Sequence, residues 1–310
     1  MVREYTPTQE EKNLLEPLTS KLRRLLDGPD LVMAPGVVDA LNARLVAEAG
    51  FETIYMTGAG TTAARLGMPD VGLLTVTEMA DNAGRIVDAS GLPLISDADT
   101  GYGSPVNVFR TVSLFEKAGV AGIHIEDQNW PKRCGHLAGK TLIPANEMAA
   151  KINAACDARN DKDFLIIART DALALDGLSA ALDRAKLYEE AGADVIFVES
   201  PRTTEEIKAI PKKLSKPALF NMASSGKTPF LSREEIASHG YKLAIYPNFA
   251  MLAAIPSVRN YLAELHEKGT VSHIVNDMAS FQDLFNLVGM DEVKEMEERY
   301  SVDKKTRVNF

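Results

Sequence analysis

The sequence predicts an α/β fold, a (β/α)8 barrel of the TIM type, and three observations indicate it. First, a helix that ends at Ala-Gly before a buried apolar run recurs as AEAGFETIYMTG, EKAGVAGIHIED and EEAGADVIFVES. Second, eight apolar runs alternate with amphipathic helical segments. Third, most of these runs end in a residue that can bind or react. Eight strand–helix units commonly close into a barrel. An open doubly wound sheet is the structural alternative.

Each predicted strand is a short apolar run, which is typical of strands buried on both faces of a parallel sheet. The eight runs cover 31–35, 53–57, 93–97, 122–126, 164–169, 194–199, 217–221 and 242–246. The polar residues at their ends are Thr57, Asp97, Glu126, Arg169, Glu199 and Asn221. In a barrel these ends meet at one mouth, where barrel enzymes keep their active sites. The alternative is that they are polar only because strand ends reach water.

Length and composition set further limits. We expect 310 residues to form a single barrel domain, 1–310, in which 249–310 is a helical C-terminal extension. A formal net charge of −9 disfavours nucleic acid and membrane partners. Two cysteines are too few for a disulfide framework and fit a reducing compartment. The N-terminus has no apolar targeting segment, so we expect a cytoplasmic protein, although an organellar address stays open.

An acidic cluster follows the third predicted strand, in SDADTGYGS. Asp97 and Asp99 are two residues apart, so strand geometry predicts that both carboxylates point the same way. Neighbouring carboxylates repel unless a cation lies between them, and Mg²⁺ is the natural candidate. Alternatively, the string is a turn in which aspartate caps the backbone. Glu126 and Asp127 after strand four could join the site, or either could be a solvated strand end or a salt-bridge partner of a helix.

The stretch KRCGHLAGK contains a cysteine among basic residues and glycines. Lys132, Arg133 and His136 surround Cys134, and such a loop can depress a thiol pKa. Cys134 is therefore a candidate acid, base or nucleophile. A zinc site fits poorly because there are too few Cys and His ligands. The alternative is a basic surface loop with an incidental cysteine.

Several of these strings together resemble those of the isocitrate lyase and phosphoenolpyruvate mutase superfamily. They are YMTGAGTTAARLGMPD, SDADTGYGS, IHIEDQ, KRCGH, ARTDAL and the FNM and GKTP pieces of 220–229, and the likeness extends over roughly 25–265. KRCGH resembles the lyase branch. The resemblance implies that Asp97 and Asp99 face Mg²⁺, or Mn²⁺, with Asp70 and Glu126 reaching it mostly through water.

The resemblance also implies how a small dicarboxylate or tricarboxylate substrate is held. The backbone of Thr57, Gly58 and Ala59 would bind the substrate carboxylate and 2-oxygen, with Tyr55, a possible base, behind them. The loop that closes over the substrate would contain Lys132, Cys134, Gly135 and His136. The group that binds the departing acid would be Arg169, Glu199 and Asn221. The family exchanges its last helix between subunits, which implies a homotetramer, a dimer of swapped dimers.

The function that follows is Mg²⁺-dependent carbon–carbon cleavage of a branched 2-hydroxy diacid. We expect 2,3-dimethylmalate to give pyruvate and propanoate, with 2-methylisocitrate as the first alternative substrate. The chain lacks the large insertion of the long isocitrate lyases. Met222 stands where oxaloacetate hydrolases have serine, and Ser224 where methylisocitrate lyases tend to have glutamate, so we expect 222–225 to border the substituent on C3. The further alternatives are oxaloacetate hydrolysis, carbon–phosphorus bond hydrolysis or mutation, and a non-catalytic barrel paralogue.

Overall fold

The described part of the chain forms a closed barrel of parallel strands. The computed structural model describes residues 16–135, 139–224 and 226–300. Its strands are β1 Val32–Val37, β2 Ile54–Met56, β3 Leu94–Asp97, β4 Gly122–Glu126, β5 Leu165–Thr170, β6 Val195–Val198, β7 Ala218–Asn221 and β8 Leu243–Tyr246. They pair in chain order, and β1 pairs with β8. The predicted (β/α)8 barrel is therefore confirmed, and the open sheet is excluded.

Helices connect the strands and extend beyond the last of them. Those up to β5 are α1 Leu18–Asp27, α2 Ala40–Glu48, α3 Gly58–Leu66, α4 Val76–Ser90, α5 Pro105–Lys117 and α6 Ala145–Ala158. The later ones are α7 Leu173–Glu190, α8 Thr204–Lys213, α9 Arg233–Ser238, α10 Phe249–Lys268, α11 Phe281–Leu287 and α12 Met290–Tyr300. None of those described is long and apolar enough to cross a membrane.

The N-terminal end of the barrel is covered by α1. Leu22 and Leu26 of this helix belong to the same buried cluster as the interior strand residues Leu165, Val195 and Leu243. A larger cluster fills the layer between the strands and the surrounding helices. Because the N-terminal end is packed with apolar side chains, ligands have access from the C-terminal ends of the strands, where barrel sites normally lie.

The helix after β8 packs differently from those around the barrel. No residue of α10 is buried, although the helix is rich in apolar side chains. Phe249, Val258 and Leu262 are each more than half exposed. Soluble monomers rarely leave so many large apolar side chains on one surface element. The division into a barrel and an extension from residue 249 stays an expectation.

Candidate active site

A cleft opens at the C-terminal ends of the strands. The predicted site residues that line it are Tyr55, Thr57, Ala59, Asp70, Asp97, Glu126, Lys132, Cys134, Gly135, Arg169, Glu199 and Asn221. Gly58 and Asp99 lie behind this lining, each in contact with one of its members. His136 lies outside the described residues. The structure thus brings together side chains from all parts of the barrel.

The acidic cluster is built around Lys132. Its ammonium nitrogen lies 2.6 Å from Asp70 Oδ1 and 2.6 Å from Asp99 Oδ1. The expectation that strand geometry orients Asp97 and Asp99 alike was wrong, because β3 ends at Asp97 and Asp99 has φ 48°. The left-handed turn instead lets the Asp99 amide donate to Asp97 Oδ1 at 2.8 Å. The two acids are neighbours through the turn.

Burial raises the pKa values of two of these carboxyl groups. It raises that of Asp99 to about 7, where repulsion from Asp97 and Asp70 adds to burial and Lys132 opposes it. Burial also raises the pKa of Glu126 well above its ordinary value, against the attraction of Arg169. Glu126 Oε1 has no hydrogen-bond partner among the described residues. Too little positive charge therefore faces these acids, and a further cation would stabilise their ionised forms.

The donor set suits a hard divalent cation. Asp70, Asp97, Asp99 and Glu126 offer only oxygen, the ligand type that Mg²⁺ prefers. Within the described ranges, no three His, Cys, Asp or Glu side chains are grouped closely enough to form a metal-ligand set on their own. Mg²⁺ usually keeps several waters and takes one or two protein carboxylates, so it does not need such a set.

The start of α3 forms a second wall of the cleft. The Thr57 hydroxyl caps this helix by accepting from the Gly60 amide at 3.3 Å. The Gly58 amide donates to Asp97 Oδ2 at 3.2 Å, and a Cβ at this position would lie 2.5 Å from that oxygen. Glycine is therefore required for so close an approach. Because Ala59 lines the cleft, the positive end of the helix faces it, which favours a bound carboxylate.

Tyr55 and His124 lie at the floor of the cleft, 2.8 Å apart between the phenol oxygen and Nε2. Burial lowers the pKa of His124 to about 4, so its imidazole is neutral. Burial, together with the charge of Asp97, raises the pKa of Tyr55 well above its ordinary value. A phenol must be ionised to act as a base, so a raised pKa opposes that role. The base role of Tyr55 stays a prediction and depends on the positive field of a cation.

Arg169 is the main cation on the opposite side. Its Nη1 lies 3.2 Å from Glu126 Oε2, and its Nη2 lies 3.8 Å from Glu199 Oε2. The guanidinium also stands over the ring of Phe197, 5.1 Å from its centroid. Asn221 Nδ2 donates to Glu199 Oε2 at 3.2 Å, which orients the amide at the end of β7. These groups form a polar wall that can bind an anion.

The cysteine loop lies against the acidic cluster. Cys134 is half-buried, and its amide donates to the Asp70 carbonyl at 3.2 Å. The Lys132 ammonium contacts the carboxylates of Asp70 and Asp99. Gly135 touches Arg169, since a Cβ there would lie 2.4 Å from Nη2. The loop residues up to Gly135 therefore form one side of the cleft.

One sequence expectation near the site was wrong in part. Met222 is part of the hydrophobic core, and Ser224 is exposed, so of the described residues of 222–225 only Ala223 lines the cleft. Ser225 lies outside the described residues. For Asp127 the structure selects one of the open alternatives, the salt-bridge partner of a helix, because its Oδ2 lies 3.2 Å from Arg184 Nη1 of α7.

Sequence reasoning also missed functional residues. His124 and Phe197 are mid-strand members of the cleft region, and Lys140 and Asp171 support its walls. The first two could have been found from spacing, because each stands two residues before a predicted site glutamate on the same strand face.

Comparison with known proteins gives the family. Residues 22–266 match the family model described as phosphoenolpyruvate phosphomutase. The chain is 44% identical to a 2,3-dimethylmalate lyase of Eubacterium barkeri over 92% of this chain and 99% of that one. It is 42% identical to a 2-methylisocitrate lyase of Aeropyrum pernix over 86% of each chain. A phosphonopyruvate hydrolase structure in complex with oxalate and Mg²⁺ superposes with a TM-score of 0.85 at 32% identity, covering 92% and 99% of the two chains.

These matches extend over the whole barrel. Two of the similar proteins are lyases, and each is identical to the chain at more than one third of the aligned positions. A member of the superfamily is seen with a divalent metal. With the fold and the cleft described above, they establish that the chain belongs to the phosphoenolpyruvate phosphomutase family, in which it is an enzyme of the carbon–carbon lyase branch.

Proposed function

We propose that the protein is a Mg²⁺-dependent lyase that cleaves 2,3-dimethylmalate to pyruvate and propanoate. We choose a diacid over a triacid because the cleft has few positively charged side chains that are not already paired with carboxylates. Among its described lining residues the only lysine or arginine side chains are Lys132 and Arg169, and both already contact carboxylates. Within this described lining, a third substrate carboxylate would find no further lysine or arginine. The wall near Ala223, Ile245 and Pro247 is apolar and suits a methyl group.

The acids would hold the metal in this proposal. Asp97 and Asp99 are the nearest candidates, with Asp70 and Glu126 acting mostly through water. When bound, Mg²⁺ would neutralise the substrate carboxylate and lower the pKa of the neighbouring hydroxyl. The fit rests on the oxygen-only donor set and on the raised pKa values of Asp99 and Glu126.

The side chains of the cleft would carry the remaining steps. The N-terminus of α3 would bind the carboxylate next to the reacting carbon. Tyr55, as phenolate in the field of the bound cation, would accept the hydroxyl proton. The oxygen would then form the carbonyl of pyruvate at C2 as the C2–C3 bond breaks, and the electron pair of that bond would stay on C3. Arg169 and Asn221 would stabilise the charge on the departing acid, and the Cys134 thiol would return a proton to C3. His136 stays an expected member of the loop that closes over the substrate.

The alternative with specific support is 2-methylisocitrate cleavage, because a 42% identical relative bears that name. A panel of branched malates and citrates, assayed with Mg²⁺ for release of pyruvate or glyoxylate, decides between the two. We expect kcat/KM for 2,3-dimethylmalate to exceed that for 2-methylisocitrate by at least about tenfold, because a buried charged group without a partner costs more than about 1.4 kcal/mol. The opposite ratio would contradict the choice of substrate, and release of neither oxo acid would contradict the function.

A matched pair of variants tests whether the apolar wall contacts the substrate. Ala223→Leu fills the cleft beside Asn221, so kcat/KM for 2,3-dimethylmalate should fall about 10- to 200-fold. Ser224→Leu adds the same side chain at the next, exposed position and should leave kcat/KM near the wild-type value. Equal effects of the two changes would mean that the wall is not where the substituent binds.

We also propose that the protein is a homotetramer in which subunits exchange α10. Support comes from the exposed apolar side chains of this helix, which a second copy of the chain would cover. We expect light scattering to give about four times the mass of one chain. Leu262→Glu should shift the protein to smaller species, whereas Glu267→Lys, a charge change at an exposed polar position of the same helix, should not. A monomeric wild-type protein would contradict the proposal.

A further inference from the structure

A single buried ammonium group joins the cysteine loop to the polar wall of the cleft. Lys140 Nζ donates to the Gly135 carbonyl at 2.6 Å and to Asp171 Oδ1 at 2.6 Å. The Lys140 side chain is only 3% exposed, and that of Asp171 is fully buried. A buried charge that loses a partner carries a large desolvation cost. The two contacts therefore hold the Gly135 carbonyl at a defined distance from Asp171.

Asp171 in turn holds Arg169. Its Oδ2 accepts from Arg169 Nε at 3.0 Å, and its Oδ1 accepts from Nη2 at 3.3 Å. Although burial opposes ionisation, Arg169 and Lys140 together lower the pKa of Asp171 to about 2, so the carboxylate is charged. The Asp171 amide donates to Asp127 Oδ1 at 3.0 Å, and Asp127 is itself buried. The carboxylate of Asp171 therefore has little freedom to move.

Lys140 and Asp171 connect Gly135 to Arg169, and these two residues also lie next to each other inside the cleft. The Gly135 backbone lies so close to Arg169 that a Cβ would be 2.4 Å from Nη2 and 3.1 Å from the Glu199 carboxyl carbon. Cys134 is the residue before Gly135 and lines the same cleft. Its thiol direction consequently depends on where Gly135 is held.

We propose that Lys140 is a positioning residue that sets the placement of the Cys134–Gly135 backbone relative to the Arg169 guanidinium. It touches no reacting atom. Its ammonium fixes the Gly135 carbonyl against the Asp171 carboxylate, and through them it aims the thiol at the carbon of a substrate bound by Arg169. This inference rests on the proposed function, because it concerns the geometry of the same site.

The test that needs no substrate measures the alkylation of cysteine. Lys140→Met keeps a long unbranched side chain but removes the ammonium group, whereas Lys140→Arg keeps a positive charge. The control is Lys242→Met, since Lys242 also donates to a backbone carbonyl, that of Gly28 at 2.8 Å, but at the other end of the barrel. Iodoacetamide modification of Cys134 is measured by mass spectrometry relative to that of Cys156 in the same chain.

We expect Lys140→Met to raise this alkylation ratio about 10- to 100-fold, the factor that corresponds to losing a hydrogen bond from a charged donor. Removing a nearby cation disfavours formation of the Cys134 thiolate. Faster alkylation of Cys134 would therefore show that the thiol is more accessible, and not that it is more acidic. Lys140→Arg and Lys242→Met should stay near the wild-type ratio. General loosening of the protein would expose Cys156 as well and leave the ratio unchanged. If Lys140→Met does not fold, Lys140→Gln is measured in the same way.

The kinetic readout separates positioning from binding. Lys140→Met should lower kcat about 10- to 100-fold for 2,3-dimethylmalate, the usual effect of a catalytic group misplaced by about 1 Å, and change KM little. Lys140→Arg should recover most of kcat. A wild-type alkylation ratio in Lys140→Met would overturn the proposal. If the wild-type enzyme cleaves no member of the substrate panel, the proposed function fails, while the alkylation ratio still decides the role of Lys140.

Discussion

Asp99→Asn is expected to lower kcat at least about 1000-fold and to weaken the binding of Mg²⁺ or Mn²⁺ while the barrel stays folded. A metal supplies several kcal/mol of charge stabilisation to such a reaction, and each factor of ten in rate corresponds to about 1.4 kcal/mol. Asparagine tolerates the left-handed backbone of Asp99 better than alanine does, so the loss can be ascribed to charge. The measurements are steady-state rates against Mg²⁺ concentration and Mn²⁺ binding by calorimetry.

The matched control is Asp81→Asn. Asp81 is an aspartate on the surface of α4, ion-paired with Arg85 at 3.1 Å, and it is not among the described residues that line the cleft. Its replacement should change neither kcat nor metal affinity, because exposed ion pairs contribute little. Full activity in the presence of a chelator of divalent ions would contradict the proposed metal dependence. Wild-type Mn²⁺ affinity in Asp99→Asn would remove this carboxylate from the metal site.

The barrel could be predicted because its strands obey local rules. Each run of apolar residues has a length that matches a strand, and the Ala-Gly helix ends mark where the next strand follows. The predicted and observed strand bounds differ by at most two residues. The assembly of the strand-end residues at one mouth followed from topology alone, since parallel strands bring their carboxyl ends to the same side.

The directions of side chains beyond the strand ends were less predictable. Alternation was extended from Asp97 to Asp99 although the strand had already ended, and the turn decided the outcome. The opposite error was made at Met222. Because it directly follows Asn221 at the end of β7, alternation places its side chain away from the cleft, where it packs in the core. Strand periodicity therefore holds at Met222, directly after its strand, and fails at Asp99, where the backbone enters a left-handed turn.

Contacts between distant polar residues could not be read from the sequence. Lys140 and Asp171 are 31 residues apart, and each lies outside the regular strands and helices. The sequence contains many lysines, and nothing in its spacing singles out the one that binds a buried carboxylate. Lys132 shows the same limit, because its neighbours in the chain suggested an effect on Cys134, whereas the fold directs its ammonium to Asp70 and Asp99.

Cys134→Ser is expected to lower kcat by about two to four orders of magnitude, the usual contribution of a general acid. A serine hydroxyl is a far weaker acid than a thiol, so the serine variant should return the proton much more slowly. The donor role is supported by position, because Cys134 lines the cleft together with Arg169 and Asn221, the groups that would bind the departing acid. Substrate binding should change little, since Arg169 and the start of α3 remain in place.

Single-turnover kinetics combined with mass spectrometry of the quenched enzyme distinguish the acid from a covalent nucleophile. An acid leaves the enzyme mass unchanged at every time point, whereas a nucleophile would give an adduct on Cys134 that forms and decays with the substrate. Cys156→Ser is the matched control, because Cys156 lies on α6 with its sulfur 3.2 Å from the Gly192 carbonyl, outside the cleft lining. It should retain wild-type kcat. Near-normal turnover in Cys134→Ser would mean that C3 receives its proton from another group, and the thiol would then have no part in the reaction.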